Sequence, residues 1–333
     1  MAVYTTIDNP ELYFQCKLYT GNGSTNAITL DGDENMQPDL LWLKRRDGSD
    51  NHILFDDVRG VTKGIYADLN NAEDNLSDSL SSFDSNGFTL GADTAGSGTI
   101  NGSSETYVAW AWKESATAGF DIVGYTGNAT ARTISHSLSA VPKVILGKRR
   151  SDASNWCMYH ASHGNTKALY LNDTTTGATS TTFWNDTNPT SSVFTVGTDA
   201  ALNGNTDTQI AYLWSEKQGF SKFGSYEGNG NADGTFVYTG FSPSFVMLKE
   251  IDQTGNWCMS DNKRPGYNPT NMVNANEAGA ETTDGTNTID HLSNGFKLRT
   301  TGSSSNTSNS TYIYMAFAEA PFVNSNGVPC NAK

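Results

Sequence analysis

The sequence predicts an all-β protein made of three tandem antiparallel β-sandwich repeats, of jelly-roll or lectin-like type. Three observations lead there. One motif occurs three times, as Pro38-Asp39-Leu40-Leu41-Trp42-Leu43-Lys44, Pro142-Lys143-Val144-Ile145-Leu146-Gly147-Lys148 and Pro243-Ser244-Phe245-Val246-Met247-Leu248-Lys249. Its spacing of about a hundred residues is too long for a solenoid unit and suits a small domain. Short β-branched and aromatic runs are bounded by Gly, Asn, Asp and Ser clusters, and good helix formers never accumulate over a long window.

Four further anchors keep the same order. Tyr19-Thr20-Gly21-Asn22 matches Tyr125-Thr126-Gly127-Asn128 and Tyr226-Glu227-Gly228-Asn229. Asn155-Trp156-Cys157-Met158 matches Asn256-Trp257-Cys258-Met259, with Asn51-His52-Ile53-Leu54 in the first copy. Ser85-Asn86-Gly87-Phe88 returns unchanged as Ser293-Asn294-Gly295-Phe296, with Val193-Phe194-Thr195-Val196 in the middle slot. The fourth is Tyr107-Val108-Ala109-Trp110-Ala111-Trp112, which pairs with Gln209-Ile210-Ala211-Tyr212-Leu213-Trp214 and Tyr312-Ile313-Tyr314-Met315-Ala316-Phe317. The segments run 1–115 with an N-terminal extension, 116–218, and 219–333 with a C-terminal tail. Lys63-Gly64-Ile65-Tyr66 and Lys167-Ala168-Leu169-Tyr170 also correspond, whereas Pro265, Tyr267 and Pro269 suggest a rebuilt strand in the third copy.

In the middle copy the predicted strands are 120–125, 143–148, 156–160, 168–172, 182–184, 193–196 and 209–214. The closing strand is the best core element. Val108, Trp110 and Trp112 share one face and Ala109 and Ala111 the other, the pattern of a central, doubly covered strand. Residues 71–83, with Leu76 and Leu80 four apart, predict one short helix. Segments 92–104, 173–181 and 302–310 read as exposed loops.

Net charge is −14, which argues against bare nucleic acid as a partner, since that needs phosphate-neutralising Lys and Arg. Lys44-Arg45-Arg46 and Lys148-Arg149-Arg150 are the dense basic spots, and both read as solubilising strand ends. No run of about 18 apolar residues is long enough to span a bilayer, and the polar start lacks the apolar stretch of a secretory signal. Cys16, Cys157, Cys258 and Cys330 read as small buried hydrophobes, without the CxxC pairs of a zinc site.

Chemistry is thinly signalled. His160-x-x-His163 lacks suggestively spaced further metal ligands, and Asp31-Gly32-Asp33-Glu34-Asn35, though rich in oxygen ligands, lacks an EF-hand glutamate. Neither Asp56-Asp57 nor Glu73-Asp74 recurs in all copies as a glycosidase carboxylate pair would if each copy were catalytic. The reading is therefore no enzyme, no catalytic residues, no cofactor and no resident metal. For ligand binding the candidates are Trp184, Asn185 and Asp186, an aromatic beside polar loop residues of the kind that sugar recognition favours.

The opening Tyr4-Thr5-Thr6-Ile7-Asp8-Asn9-Pro10-Glu11-Leu12-Tyr13-Phe14-Gln15, the segment Phe55-Asp56-Asp57-Val58-Arg59-Gly60-Val61-Thr62-Lys63, and the closing Ala316-Phe317-Ala318-Glu319-Ala320-Pro321-Phe322-Val323-Asn324 carry a resemblance. With Tyr19-Thr20-Gly21-Asn22-Gly23 and Tyr107-Val108-Ala109-Trp110-Ala111-Trp112-Lys113, the chain resembles, over essentially its whole length, a family of virion structural proteins from marine bacteriophages. That resemblance implies a tail-fibre, receptor-binding or other particle-surface protein, located in the virion and assembled in the host cytoplasm. It defines no catalytic residues. A long fibre would carry a coiled-coil or extended shaft, which this chain lacks, so a short tail appendage is expected, with capsid decoration as alternative and a polysaccharide-degrading spike as third reading. Expected partners are other virion proteins, a host surface glycan and further copies of the chain.

Overall fold

The computed structural model describes residues 4–264, 271–282 and 288–329. It is nearly all β, as predicted. Each segment contributes one large antiparallel sheet whose closing strand is central. In the first segment Thr106–Trp112 lies between Phe14–Thr20 and Leu40–Arg45, followed outward by Ile53–Asp56, Lys63–Tyr66 and Asp74–Asn75. The second repeats that order, with Thr208–Trp214 between Phe120–Thr126 and Val144–Arg149. The third follows it through five strands, with Thr311–Pro321 between Ser221–Glu227 and Phe241–Glu250, then Trp257–Asp261 and Val273–Asn274. Trp112, Trp214 and Phe317 hold the same register position, opposite Leu40, Val144 and Phe245. A smaller sheet covers one face of each large one: Asn26–Thr29 with Gly87–Leu90 and Leu80–Asp84, then Arg132–Ser135 with Val193–Val196, then Phe236–Tyr238 with Gly295–Leu298 and Ile289–Leu292.

The two faces of each closing strand serve different cores. Tyr107, Ala109 and Ala111 join Ile28, Phe88 and Leu90 in a core private to the first segment. Val108, Trp110 and Trp112 face away from it, into a core that also contains Ile210, Tyr212, Trp214, Ile313, Met315 and Phe317. The segments thus do not fold round wholly separate cores; their large sheets surround a common one. Aromatic contacts knit it, with ring centroids 6.3 Å apart for Trp112 and Trp214, 5.6 Å for Trp112 and Phe317, and 5.2 Å for Phe14 and Phe317.

The repeated motifs are the joints of this arrangement. In Tyr-x-Gly-Asn the Tyr19, Tyr125 and Tyr226 hydroxyls donate to the carbonyls of Ile100, Leu202 and Ser305 at 2.9, 2.7 and 2.6 Å. The next residue in each case is a buried asparagine, Asn101, Asn203 or Asn306, whose Oδ1 accepts from the backbone N–H of Asn22, Asn128 or Asn229 at 3.0 Å. A side chain on Gly21 or Gly127 would lie 2.2 or 2.1 Å from the carbonyl oxygen of Gly102 or Gly204, so the glycine is steric necessity. The segments 92–104 and 302–310 therefore are not exposed throughout: Ile100, Asn101, Ser305 and Asn306 are buried.

Two predicted elements change. Residues 71–83 form no helix among the described residues; Asp74–Asn75 and the start of Leu80–Asp84 are strands, and Leu76 and Leu80 both enter the first private core from extended chain. Residues 182–184 are not a strand but part of a helical turn, Thr181–Trp184, capped by Ser180. It fills the place that a third small-sheet strand holds in the other segments. Pro265, Tyr267, Pro269 and Cys330 lie outside the described residues; Cys16, Cys157 and Cys258 are buried and free.

Candidate ligand-binding surface

Most of the singled-out polar residues turn out to join segments. Lys44, Lys148 and Lys249 are buried, not solubilising. Their ammonium groups donate across the joints, Lys44 to the Ala278 carbonyl at 3.0 Å, Lys148 to Asn70 at 3.1 Å and Lys249 to Thr174 at 2.9 Å. Burial pulls each down to about 8. Arg46 and Arg150 also cross joints, pairing with Glu281 and Glu73 at 2.8 and 2.7 Å. Arg45 and Arg149 pair with acids of their own segments.

Asp56, His160 and Asp261 occupy one register position, opposite Leu40, Val144 and Phe245. Arg59, His163 and Arg264 follow three residues later. Asp56 is ion-paired with Arg59 and accepts from the Tyr212 hydroxyl at 2.6 Å. Asp261 is paired with Arg264 at 2.6 Å and accepts from the Trp110 indole N–H at 3.1 Å, with the guanidinium 5.7 Å from the indole centroid. His160 donates from Nε2 to the Tyr314 carbonyl at 3.1 Å. These are interior contacts between segments. Glu73 is taken up by Arg150, and Asp31 pairs with Lys17 at 3.1 Å. Among the described residues no group of three or more His, Cys, Asp or Glu side chains is placed to hold a metal ion.

The predicted ligand group splits. Asn185 and Asp186 are exposed, in left-handed conformation at φ 52° and 47°. Trp184 is only 2% exposed and packs edge-on against Tyr159, centroids 5.9 Å apart, inside the second private core. Its indole does not offer a face to a sugar ring. The helical turn that replaced the expected strand turns it inward.

An aromatic surface does exist elsewhere, on the third small sheet. In Phe236–Tyr238 the middle residue, Val237, points into the core, so its neighbours share the outer face. Phe236 is 44% exposed and Tyr238 50%. Successive same-face residues lie about 6.6–6.8 Å apart along a strand. Phe236 is opposite Lys297, and Tyr238 opposite Gly295. Tyr4 donates to the Gly240 carbonyl at 2.8 Å and lies 3.5 Å, oxygen to oxygen, from the Tyr238 hydroxyl. Charged groups border the rings. Asp233 takes Lys297 at 2.6 Å and Arg299 at 3.5 Å, and Arg299 also takes Asp290. The Lys297 hydrogen bond holds the Asp233 carboxyl below its usual range.

By register, Phe236 and Tyr238 correspond to Ala27 and Thr29 in the first segment and to Thr133 and Ser135 in the second. The pair is an addition of the third segment. Sequence reasoning missed it because Trp residues drew the attention and Phe-Val-Tyr passes for an ordinary strand; the signal lay in comparing the three slots. Over residues 9–321 the chain matches the family described as a domain of unknown function (DUF7483), and it belongs to that family. No curated protein matches it.

Proposed function

We propose that the protein is a non-enzymatic surface component of a bacteriophage particle, carried on the tail, that recognises a host-surface glycan through Phe236 and Tyr238. The observation that carries the binding part is this pair of half-exposed rings on one flat sheet face, at positions where the other segments hold small residues. Rings of this kind offer apolar faces to the C–H face of a pyranose, and the bordering Asp, Lys and Arg groups supply hydrogen bonds that fix its orientation. A platform this shallow binds weakly, and several copies per particle compensate through avidity. The virion setting rests on the resemblance of the sequence motifs.

The test is binding of host envelope polysaccharide by the wild-type protein and by Phe236→Ala/Tyr238→Ala. The variant is expected to bind at least tenfold more weakly, which is about 1.4 kcal/mol, with an unchanged melting temperature. Equal binding would remove the platform from the account.

Capsid decoration is the second reading. It is favoured by the threefold repetition of sheets round one core, a shape suited to a threefold site on a shell. Copy number per purified particle separates the two: parity with the shell protein would exclude the tail.

A further inference from the structure

The third segment differs from the others at a second place, between its two sheets. Ser260 holds the register position of Phe55 and Tyr159, and His291 that of Phe83. In the first segment Phe55 lies in the private core and Phe83, partly buried, packs against it. In the second, Tyr159 meets Trp184. In the third both positions are polar and bonded to each other, with Ser260 Oγ donating to His291 Nε2 at 2.8 Å and His291 Nδ1 donating to the Pro243 carbonyl at 2.8 Å. Burial keeps this imidazole in the neutral form that such an arrangement requires.

Beside it a pocket of about 180 Å³ opens. Its wall is mostly polar, with Ser242, Asn262, Ser293 and Glu319, while Pro243 and Leu292 supply apolar patches. Asn262 Oδ1 accepts from Ser244 at 3.2 Å and Glu319 Oε2 accepts from Ser242 at 3.4 Å, which steadies the amide and the carboxylate. The volume falls short of the about 300–1,000 Å³ of pockets for drug-sized ligands. Leu292 pairs with Gly295, which in turn pairs with Tyr238. Two strand spacings, about 10 Å, therefore separate the pocket wall from the ring platform.

We propose that this pocket is a subsite for one neutral hexose unit. Vicinal hydroxyls of a pyranose match a carboxylate and an amide held side by side, and its C–H face matches Pro243 and Leu292. Glu319 in the wall and the net charge of −14 both disfavour an anionic sugar. The inference rests on the glycan-binding reading above and adds to it a second contact on the same ligand, from the terminal or side unit of a short chain lying across Phe236 and Tyr238.

Ligand-observed saturation-transfer NMR with glucose, galactose, mannose and N-acetylglucosamine tests it, on the full chain. The wild type is expected to bind at least one of them. Glu319→Ala, and independently Asn262→Ala, is expected to weaken that binding at least tenfold. Ser260→Phe/His291→Phe, which places the first segment's residues at both positions, is expected to abolish it. Phe236→Ala/Tyr238→Ala is expected to leave monosaccharide binding intact while losing polysaccharide binding, which keeps the two sites distinguishable. Should no hexose bind while the platform variant still loses polysaccharide, the pocket is refuted and the platform stands. Hexose binding that survives both Glu319→Ala and the pocket-closing variant also overturns the proposal.

Discussion

The contact that joins neighbouring segments is built twice one way and once another. At two joints the incoming side chain is a hydrogen-bond donor, Tyr212 or Trp110, and the receiving position is a buried carboxylate locked to an arginine. At the third, Met315 holds the register position of Tyr212 and Trp110, and the receiving position is His160, bonded to a backbone carbonyl. A thioether brings no proton to place, so no buried charge is needed to accept one. The lesson is that the ion pair answers the polarity of its guest. A buried donor without an acceptor costs about 1–3 kcal/mol, so guest and host change together.

The most severe way to break this comparison is to remove one carboxylate. Asp56→Ala leaves the buried Arg59 guanidinium with only the more distant Glu73 carboxylate, at 3.4 Å, and the Tyr212 hydroxyl without an acceptor; Asp261→Ala leaves Arg264 with only Glu281, at 3.9 Å, and the Trp110 indole without one. Each is expected to cost about 3–5 kcal/mol in chemical denaturation. Converting the whole set to the third pattern, by Tyr212→Met with Asp56→His and Arg59→His, is expected to cost much less than Asp56→Ala alone. If the triple variant proves as damaging as the single one, the coupling of guest to host is wrong.

The histidine joint makes a different prediction, in pH. Burial, aided at His160 by the neighbouring His163, pulls both imidazoles down to about 4, from about 6.5 in an unfolded chain. A folded value below the unfolded one means the unfolded chain binds protons first. Stability from this pair is complete above about pH 6.5 and is lost as the pH falls towards 4. For His160 alone the loss is on the order of 3 kcal/mol. Melting temperatures at pH 7 and 4.5 should therefore fall less steeply in His160→Gln than in the wild type. Parallel slopes would show that this joint is not where acid acts.

What was legible in the sequence follows the range of the interactions. The closing strands were readable because alternation of large and small residues is a property of the strand itself, and Tyr107–Trp112 shows both faces. Leu76 and Leu80 deceived because a four-residue spacing also arises when a turn and a strand start aim two leucines at one core. Trp184 deceived because polar neighbours in sequence said nothing of the helical turn that hides it. The joints were unreadable for another reason. Asp56, His160 and Asp261 could be aligned, but their partners Tyr212, Tyr314 and Trp110 come from other segments, so nothing in His160-x-x-His163 taken alone disclosed what the pair does. Phe236 and Tyr238 were visible only as departures from a slot that is small elsewhere.

The smallest expected effect lies at the rim of the same joints. Arg150 pairs with both oxygens of Glu73, at 2.7 and 3.0 Å, and both side chains are partly buried, so the pair is worth about 1 kcal/mol in a double-mutant cycle of Arg150→Ala and Glu73→Ala. Arg46 and Glu281 repeat it. In the third segment Ile251 follows Glu250 where Arg46 and Arg150 stand, and by strand register Gly177 takes the place of Glu73 and Glu281. Gly177 sits at φ +90°, and a side chain there would lie 2.6 Å from the Ala168 carbonyl oxygen. The backbone thus forbids a glutamate, and an unpaired arginine would gain nothing. Ile251→Arg alone is accordingly expected to leave stability unchanged or lower it slightly, while a gain of 1 kcal/mol would mean that some other acid reaches this joint and that the asymmetry lies in sequence rather than in backbone.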